Sequence, residues 1–207
     1  MIGIFGGRFD PVHRAHIEIA VAVADQLNLK EVLWVVSANA VHKPILASAA
    51  HRLEMVRLAL AELQDPRMKL DDRELCAAER GEDNPSYKTL QSLKEERPNQ
   101  KWVWILGEDQ LQAFTSWQRW GWLIQNMALA ACRRPGAAQT DVSQLIAAGS
   151  QVISINFKAD PVSSSHVRER LARGLPVDEL VPQSVARYLA AHDLYQTPTA
   201  ARHPNSV

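Results

Sequence analysis

The sequence predicts a doubly wound, Rossmann-like α/β fold with a C-terminal helical subregion. Three observations predict it. Short apolar, β-branched runs alternate with segments of helical periodicity. The runs are hydrophobic at successive positions, as strands of a parallel sheet covered on both faces must be. The first run, Ile2-Gly3-Ile4-Phe5, passes straight into a glycine turn and a helix start.

Taken in order, the strand candidates are 2–5, 31–36 (Glu-Val-Leu-Trp-Val-Val), 68–71, 101–106 (Lys-Trp-Val-Trp-Ile-Leu), 127–132 and 151–155. Helical stretches are expected near 13–27, 49–64, 87–96 and 117–125. From Ser163 the chain turns helical, with Val167 to Arg173 and Val181 to His192 as two helices. The stretches 77–85 and 38–48, the latter around His42-Lys43-Pro44, both read as mobile loops, because turn residues cluster there. There is no internal repeat and no linker, so 1–195 is expected to form one domain. Residues 196–207 have no periodic apolar face and are expected to be disordered.

Composition narrows the class. Lys plus Arg and Asp plus Glu are both 23, so the formal charge is zero. Binding to a nucleic-acid backbone is usually accompanied by a basic excess, so a small phosphorylated substrate is favoured over nucleic acid. No apolar run approaches a membrane span, and no signal peptide precedes the first strand. The two cysteines, Cys76 and Cys132, are far apart and form no CxxC, which reads as free thiols in a cytoplasmic protein.

Two clusters carry chemistry. Gly6-Gly7-Arg8-Phe9-Asp10-Pro11-Val12-His13-Arg14-Ala15-His16 lies between the first strand and its helix. Such a junction offers backbone N–H groups and a partial positive charge to a phosphate. Gly6 and Gly7 allow close backbone approach, and His13 and His16, three apart at a helix start, fall on one face. Neither GxGxxG nor GxxxxGK[ST] is present. A metal reading of Asp10, His13 and His16 lacks a further ligand at an established spacing, so no protein-held metal is expected. In the second cluster, Val162-Ser163-Ser164-Ser165-His166-Val167-Arg168, serines can cap a helix. Arg168 lies three residues past Ser165, so hydroxyls, N–H groups and a guanidinium converge in a way that suits a polyphosphate. Gly107-Glu108-Asp109 follows the fourth strand, and ligands in such sheets sit beyond the carboxyl ends of strands.

These blocks together resemble the bacterial nicotinate mononucleotide adenylyltransferase family of the HxGH-type nucleotidyltransferases. Residues 6–16 resemble GGTFDPxHxGH, 40–44 (Ala-Val-His-Lys-Pro) its PPHK/R loop, and 84–87 (Asn-Pro-Ser-Tyr) its PSYT segment. Leu106 to Asp109 with Trp117 resembles GxDxL…W, and 132–136 (Cys-Arg-Arg-Pro-Gly) its RRPG turn. Val162 to Arg168 stands for ISxTxxR, and Leu180 to Tyr195 for the closing LP…V…Y…LY stretch. Arg8, Ala15, Val41 and Lys88 depart from the Thr, Gly, Pro and Thr usual there.

The resemblance implies attack of the 5′-phosphate of nicotinate mononucleotide on the α-phosphorus of ATP, with pyrophosphate leaving. It puts His13, His16 and Arg168 in the catalytic role, the histidines on the α- and β-phosphates. Gly6, Gly7, Phe9, Gly107, Asp109, Ser163 and Ser165 would bind ATP, Asp109 through a ribose and the serines through the leaving pyrophosphate. His42, Lys43, Tyr87, Trp117 and Arg134 would bind the pyridine mononucleotide, Trp117 by stacking on its ring. Mg²⁺ would ride on the triphosphate, held mostly by phosphate and water. ATP and the mononucleotide are thus the expected partners, with no nucleic acid and no membrane, and a homo-oligomer is left open. The rival readings are another transferase of the superfamily, such as a pantetheine-phosphate adenylyltransferase or a cytidylyltransferase, and a non-catalytic nucleotide sensor. Trp34, Trp102 and Trp104, in strands, are expected in the core.

Overall fold

The computed structural model describes residues 1–38, 45–133, 140–156 and 162–197. The expectations placed on His42, Lys43, Arg134 and the tail from residue 198 lie outside them. Among the described residues, six parallel strands form one sheet: β1 (Ile2–Gly7), β2 (Glu31–Val36), β3 (Met68–Asp71), β4 (Trp102–Gly107), β5 (Ala128–Arg133) and β6 (Val152–Asn156). Their order is β3-β2-β1-β4-β5-β6. The direction of winding therefore reverses between β1 and β4, where doubly wound sheets bind ligands.

Side-chain alternation splits the strands between two cores. Val32, Trp34 and Val36 of β2 and Val103 and Ile105 of β4 face one side. Leu33 and Val35, with Trp102, Trp104 and Leu106, face the other. Both faces are apolar because both are covered. The first core is covered by α1 (Arg14–Gln26), α2 (Ala49–Leu63), α8 (Ser164–Ala172) and α9 (Gln183–Ala191), through Val23, Met55, Val56, Val167, Val185 and Leu189. The C-terminal helices thus share the core of α1 and α2. Helices α4 (Ser86–Glu96) and α6 (Trp120–Asn126) cover the second, through Leu90, Leu93, Leu123 and Ile124.

Several short elements differ from the sequence reading. Helix α3 (Arg73–Glu79) takes in Ala77 to Glu79, which the sequence suggested as the start of a mobile loop. Leu75 and Ala77 are buried, so tertiary packing holds a helix too short to show a period. Helices α5 (Glu108–Gln112) and α7 (Ser143–Ala147) and a 3₁₀ turn at Phe114–Ser116 are equally short. The helix expected from 117 starts instead at Trp120, because Arg119 has a left-handed backbone (φ 54). Trp34, Trp102 and Trp104 are buried as expected. No helix among the described residues is long and apolar enough to cross a membrane.

Candidate active site

The site opens where β1 and β4 part. They pair only from Ile2↔Trp102 to Ile4↔Trp104. β1 stays paired with β2 as far as Gly7↔Val36, and β4 with β5 as far as Gly107↔Cys132. Beyond Ile4 the two central strands therefore diverge, and the chain leaving each one borders the opening. Gly6 and Gly7 also serve packing here. A Cβ on Gly7 would lie 2.9 Å from the Phe9 ring, and one on Gly6 3.3 Å from the Trp104 indole. Any larger residue would have to displace an aromatic ring to fit.

His13 is the N-cap of α1 in extended conformation, and His16 stands one turn into the helix. Their rings stack with centroids 3.6 Å apart and planes at 25°. The backbone N–H of His13 donates to His16 Nδ1 at 3.1 Å. With Nδ1 accepting, the neutral His16 ring carries its proton on Nε2 and presents a donor there. Phe9, itself only 2 % exposed, packs edge-on against His16 at 5.1 Å. The phenyl ring is thus a wall that orients the histidine. Arg14 N–H donates to Leu180 O and His16 N–H to His13 O, so these helix-start donors are engaged inside the protein. Ala15 sits buried in the first helical turn, where Ala is favoured over Gly.

The second cluster, far away in sequence, is docked on the first. Ser163 caps α8 by accepting from the His166 N–H at 3.2 Å. Ser164 Oγ donates to Pro11 O at 2.9 Å. Arg168 donates from one nitrogen to Asp10 O at 2.7 Å and from the other to Ser165 Oγ at 3.2 Å. The guanidinium therefore meets Ser165, as their spacing suggested, and also lies beside the loop that leads to His13.

Asp10, buried to 2 % exposure, holds this arrangement together. Its carboxylate accepts from the N–H groups of Leu46 (2.9 Å) and Ala47 (3.0 Å) and from the Tyr195 hydroxyl (2.6 Å). Burial, and then the bond to Asp10, push the Tyr195 phenol well above its ordinary range. Arg52, buried in α2, donates to both Arg8 O and Ser37 O at 2.8 Å. Burial holds its guanidinium below the usual arginine value, opposed by the Asp10 charge. Asp10, Arg52, Ser164 and Tyr195 are the supporting residues that sequence reasoning missed as site residues. Asp10 was weighed only as a metal ligand, and its carboxylate is spent on these three donors. Among the described residues, no group of three or more His, Cys, Asp or Glu side chains could hold a metal.

On the other side of the opening, Gly107 ends β4 and Asp109 stands exposed in the first turn of α5. Trp117 and Tyr87 are half-buried against the second core. Trp117 packs edge-on to Trp104 at 5.8 Å, and the Arg119 guanidinium lies 4.6 Å over the Tyr87 ring. Lys88 donates to Asp83 O at 2.7 Å. A separate groove of about 190 Å³ is lined by Arg14, Ile17, Ala59, Glu62, Leu63 and Pro182. Its charged groups are engaged with the main chain, Arg14 with the carbonyls of Val181 and Asp178 and Glu62 with α9.

An opening at the switch point, flanked by stacked histidines with a serine-capped, arginine-bearing helix docked beside them, defines a nucleotidyltransferase type of site. Residues 4–170 match the cytidylyltransferase-like family. A relative from Bordetella petrii, curated as "Probable nicotinate-nucleotide adenylyltransferase", is 38% identical over 94% of this chain and 98% of its own. One from Gloeobacter violaceus with the same name is 37% identical over 97% and 98%. The chain belongs to the cytidylyltransferase-like family and, within it, to the family of nicotinate-nucleotide adenylyltransferases. The fold is shared with the Plasmodium falciparum nicotinic acid mononucleotide adenylyltransferase, solved with NaAD (TM-score 0.76, 23% identity, covering 94% of this chain and 96% of that one). The same protein solved with APC gives a TM-score of 0.74 at 21% identity, with the same coverage.

Proposed function

We propose that the protein transfers the adenylyl group of ATP to nicotinate mononucleotide, giving nicotinate adenine dinucleotide and pyrophosphate for NAD biosynthesis. The observation that carries this is the convergence of His13 and His16 with Ser165 and Arg168 through the Asp10–Pro11 segment. Family membership supports the choice of nucleotides.

A phosphate is already an anionic nucleophile at neutral pH, so the reaction needs no strong base. Positioning of the two substrates and stabilisation of charge on the transferring group are what the protein must supply. In this reading the His16 Nε2–H and the His13 ring bind oxygens of the α- and β-phosphates. Arg168, with the Ser163–Ser165 helix start, takes the developing charge of the leaving pyrophosphate. Gly6, Gly7, Gly107 and Asp109 border the adenosine, and Tyr87 and Trp117 the pyridine ring. His42, Lys43 and Arg134 remain proposed contacts of the acceptor phosphate. Mg²⁺ enters as part of the ATP substrate, held by phosphate and water. The reaction is assigned to the cytoplasm.

Pyrophosphate release from ATP and Mg²⁺, measured with nicotinate mononucleotide and then with nicotinamide mononucleotide, tests this. Turnover is expected with both at most, and faster with the nicotinate form. No turnover with either, while ATP or the dinucleotide still binds, would replace the proposal with a nucleotide sensor.

A further inference from the structure

We propose that Glu74 is a positioning residue for the acceptor nucleotide, tying the start of α3 to the first turns of α4. The inference rests on the reading above that Tyr87 and Trp117 border the acceptor's pyridine ring.

Glu74 is in the first turn of α3 and only 8 % exposed. Thr89 Oγ1, fully buried, donates to Glu74 Oε1 at 2.8 Å. Helix α3 begins two residues past Asp71, the last residue of β3, on the rim where the strands end. Thr89 lies in α4 two residues after Tyr87, whose ring packs against the second core with Trp117. One hydrogen bond thus ties the rim start of α3 to the helix start that carries Tyr87.

The neighbouring charges do not explain it. Arg73, next in the chain, is committed to Asp71 (2.8 Å) and Glu96 (2.8 Å). Among the described residues Glu74 has no ion pair, and its hydrogen-bond partner Thr89 is neutral. A buried carboxyl without a cation costs stability that an apolar side chain in its place would not. Leu75 and Ala77 of the same helix already supply apolar packing. What Glu74 adds is directional: its bond to Thr89 sets where the start of α4 sits relative to α3. It touches no reacting atom in this arrangement, and its effect passes through Tyr87.

Steady-state kinetics of Thr89→Val, Thr89→Ser, Glu74→Ala and Trp117→Ala, varying each substrate in turn, test the proposal. Losing a hydrogen bond to a buried carboxyl should raise the KM for nicotinate mononucleotide about tenfold in Thr89→Val and Glu74→Ala. The KM for ATP and kcat should stay within about twofold, since a pure acceptor-positioning defect leaves the other terms alone. Thr89→Ser, which keeps the hydroxyl, should restore the acceptor KM. An unchanged acceptor KM in Thr89→Val, or a parallel loss in all constants that Thr89→Ser does not rescue, would overturn the role of Glu74. The Trp117→Ala variant separates the two readings. A raised acceptor KM there keeps the pyridine-ring assignment whatever Thr89 does, and an unchanged one overturns that assignment itself.

Discussion

His16 has two tasks in the proposed mechanism: Nδ1 accepts the His13 N–H that fixes the ring, and Nε2 would donate to a phosphate oxygen. Replacing it by alanine removes both. The His16→Ala enzyme should keep its fold by far-UV circular dichroism and lose about 10²- to 10³-fold in kcat, the usual cost of one lost transition-state donor. Glu74 makes a different prediction. Burial pushes its carboxyl up to about 7, against the pull of the Thr89 hydrogen bond. A raised acid holds its proton more tightly in the folded state. Its stabilising share is therefore complete below the unfolded value of 4.5 and is lost as pH rises through about 7. The ionised form should cost about 3 kcal/mol. Glu74→Gln does not titrate, so urea unfolding should show its stability relative to the wild type improving by roughly 2–3 kcal/mol between pH 5 and pH 8.5. A pH-independent difference would mean that the carboxyl titrates normally.

At the scale of elements, the helix ends decide how the C-terminal part meets the sheet. The N-terminus of α9 is capped from another helix: Glu62 of α2 accepts from the N–H groups of Gln183 (3.0 Å) and Ser184 (2.7 Å). Burial raises the Glu62 carboxyl, but these bonds outweigh it and hold the group below its ordinary value. Glu62→Ala should lower stability by about 1 kcal/mol in urea unfolding, as loss of a helix cap does. Its kinetics should be unchanged, because the bonds of Glu62 go to the start of α9 and not to the histidine or serine–arginine clusters. The long elements were legible in the sequence for a physical reason. Strands buried on both faces read as unbroken apolar runs, and helices such as 14–26 span several turns of one apolar stripe. The short helices α3, α5 and α7 span two turns or fewer, too little for a period to show. Their helical state comes from what they pack against.

Across the whole molecule, the two clusters beside the opening come from opposite ends of the chain. The Tyr195 hydroxyl reaches Asp10 across 185 residues, and Arg168 reaches the same residue across 158. The ends are brought together because α8 and α9 cover the same core as α1 and α2. The opening itself follows from the sheet order, since only β1 and β4 part at the switch point. Adenylyl transfer, if lost in a variant at any of these long-range contacts, would be lost by displacement of the histidine and arginine clusters relative to each other.

The sequence by itself determined the alternating α/β pattern, the histidine pair at a strand-to-helix junction and the serine–arginine helix start. Each of these is written in residues close together in the chain, where local geometry dictates what they can do. Only the tertiary structure decided that Asp10 is a buried hub. It alone decided that Phe9 backs His16, that Glu74 bonds Thr89, and that the histidine and serine–arginine clusters meet at one place. Those facts depend on partners tens to hundreds of residues apart, and a buried acceptor's partner is set by which elements the core packing brings beside it.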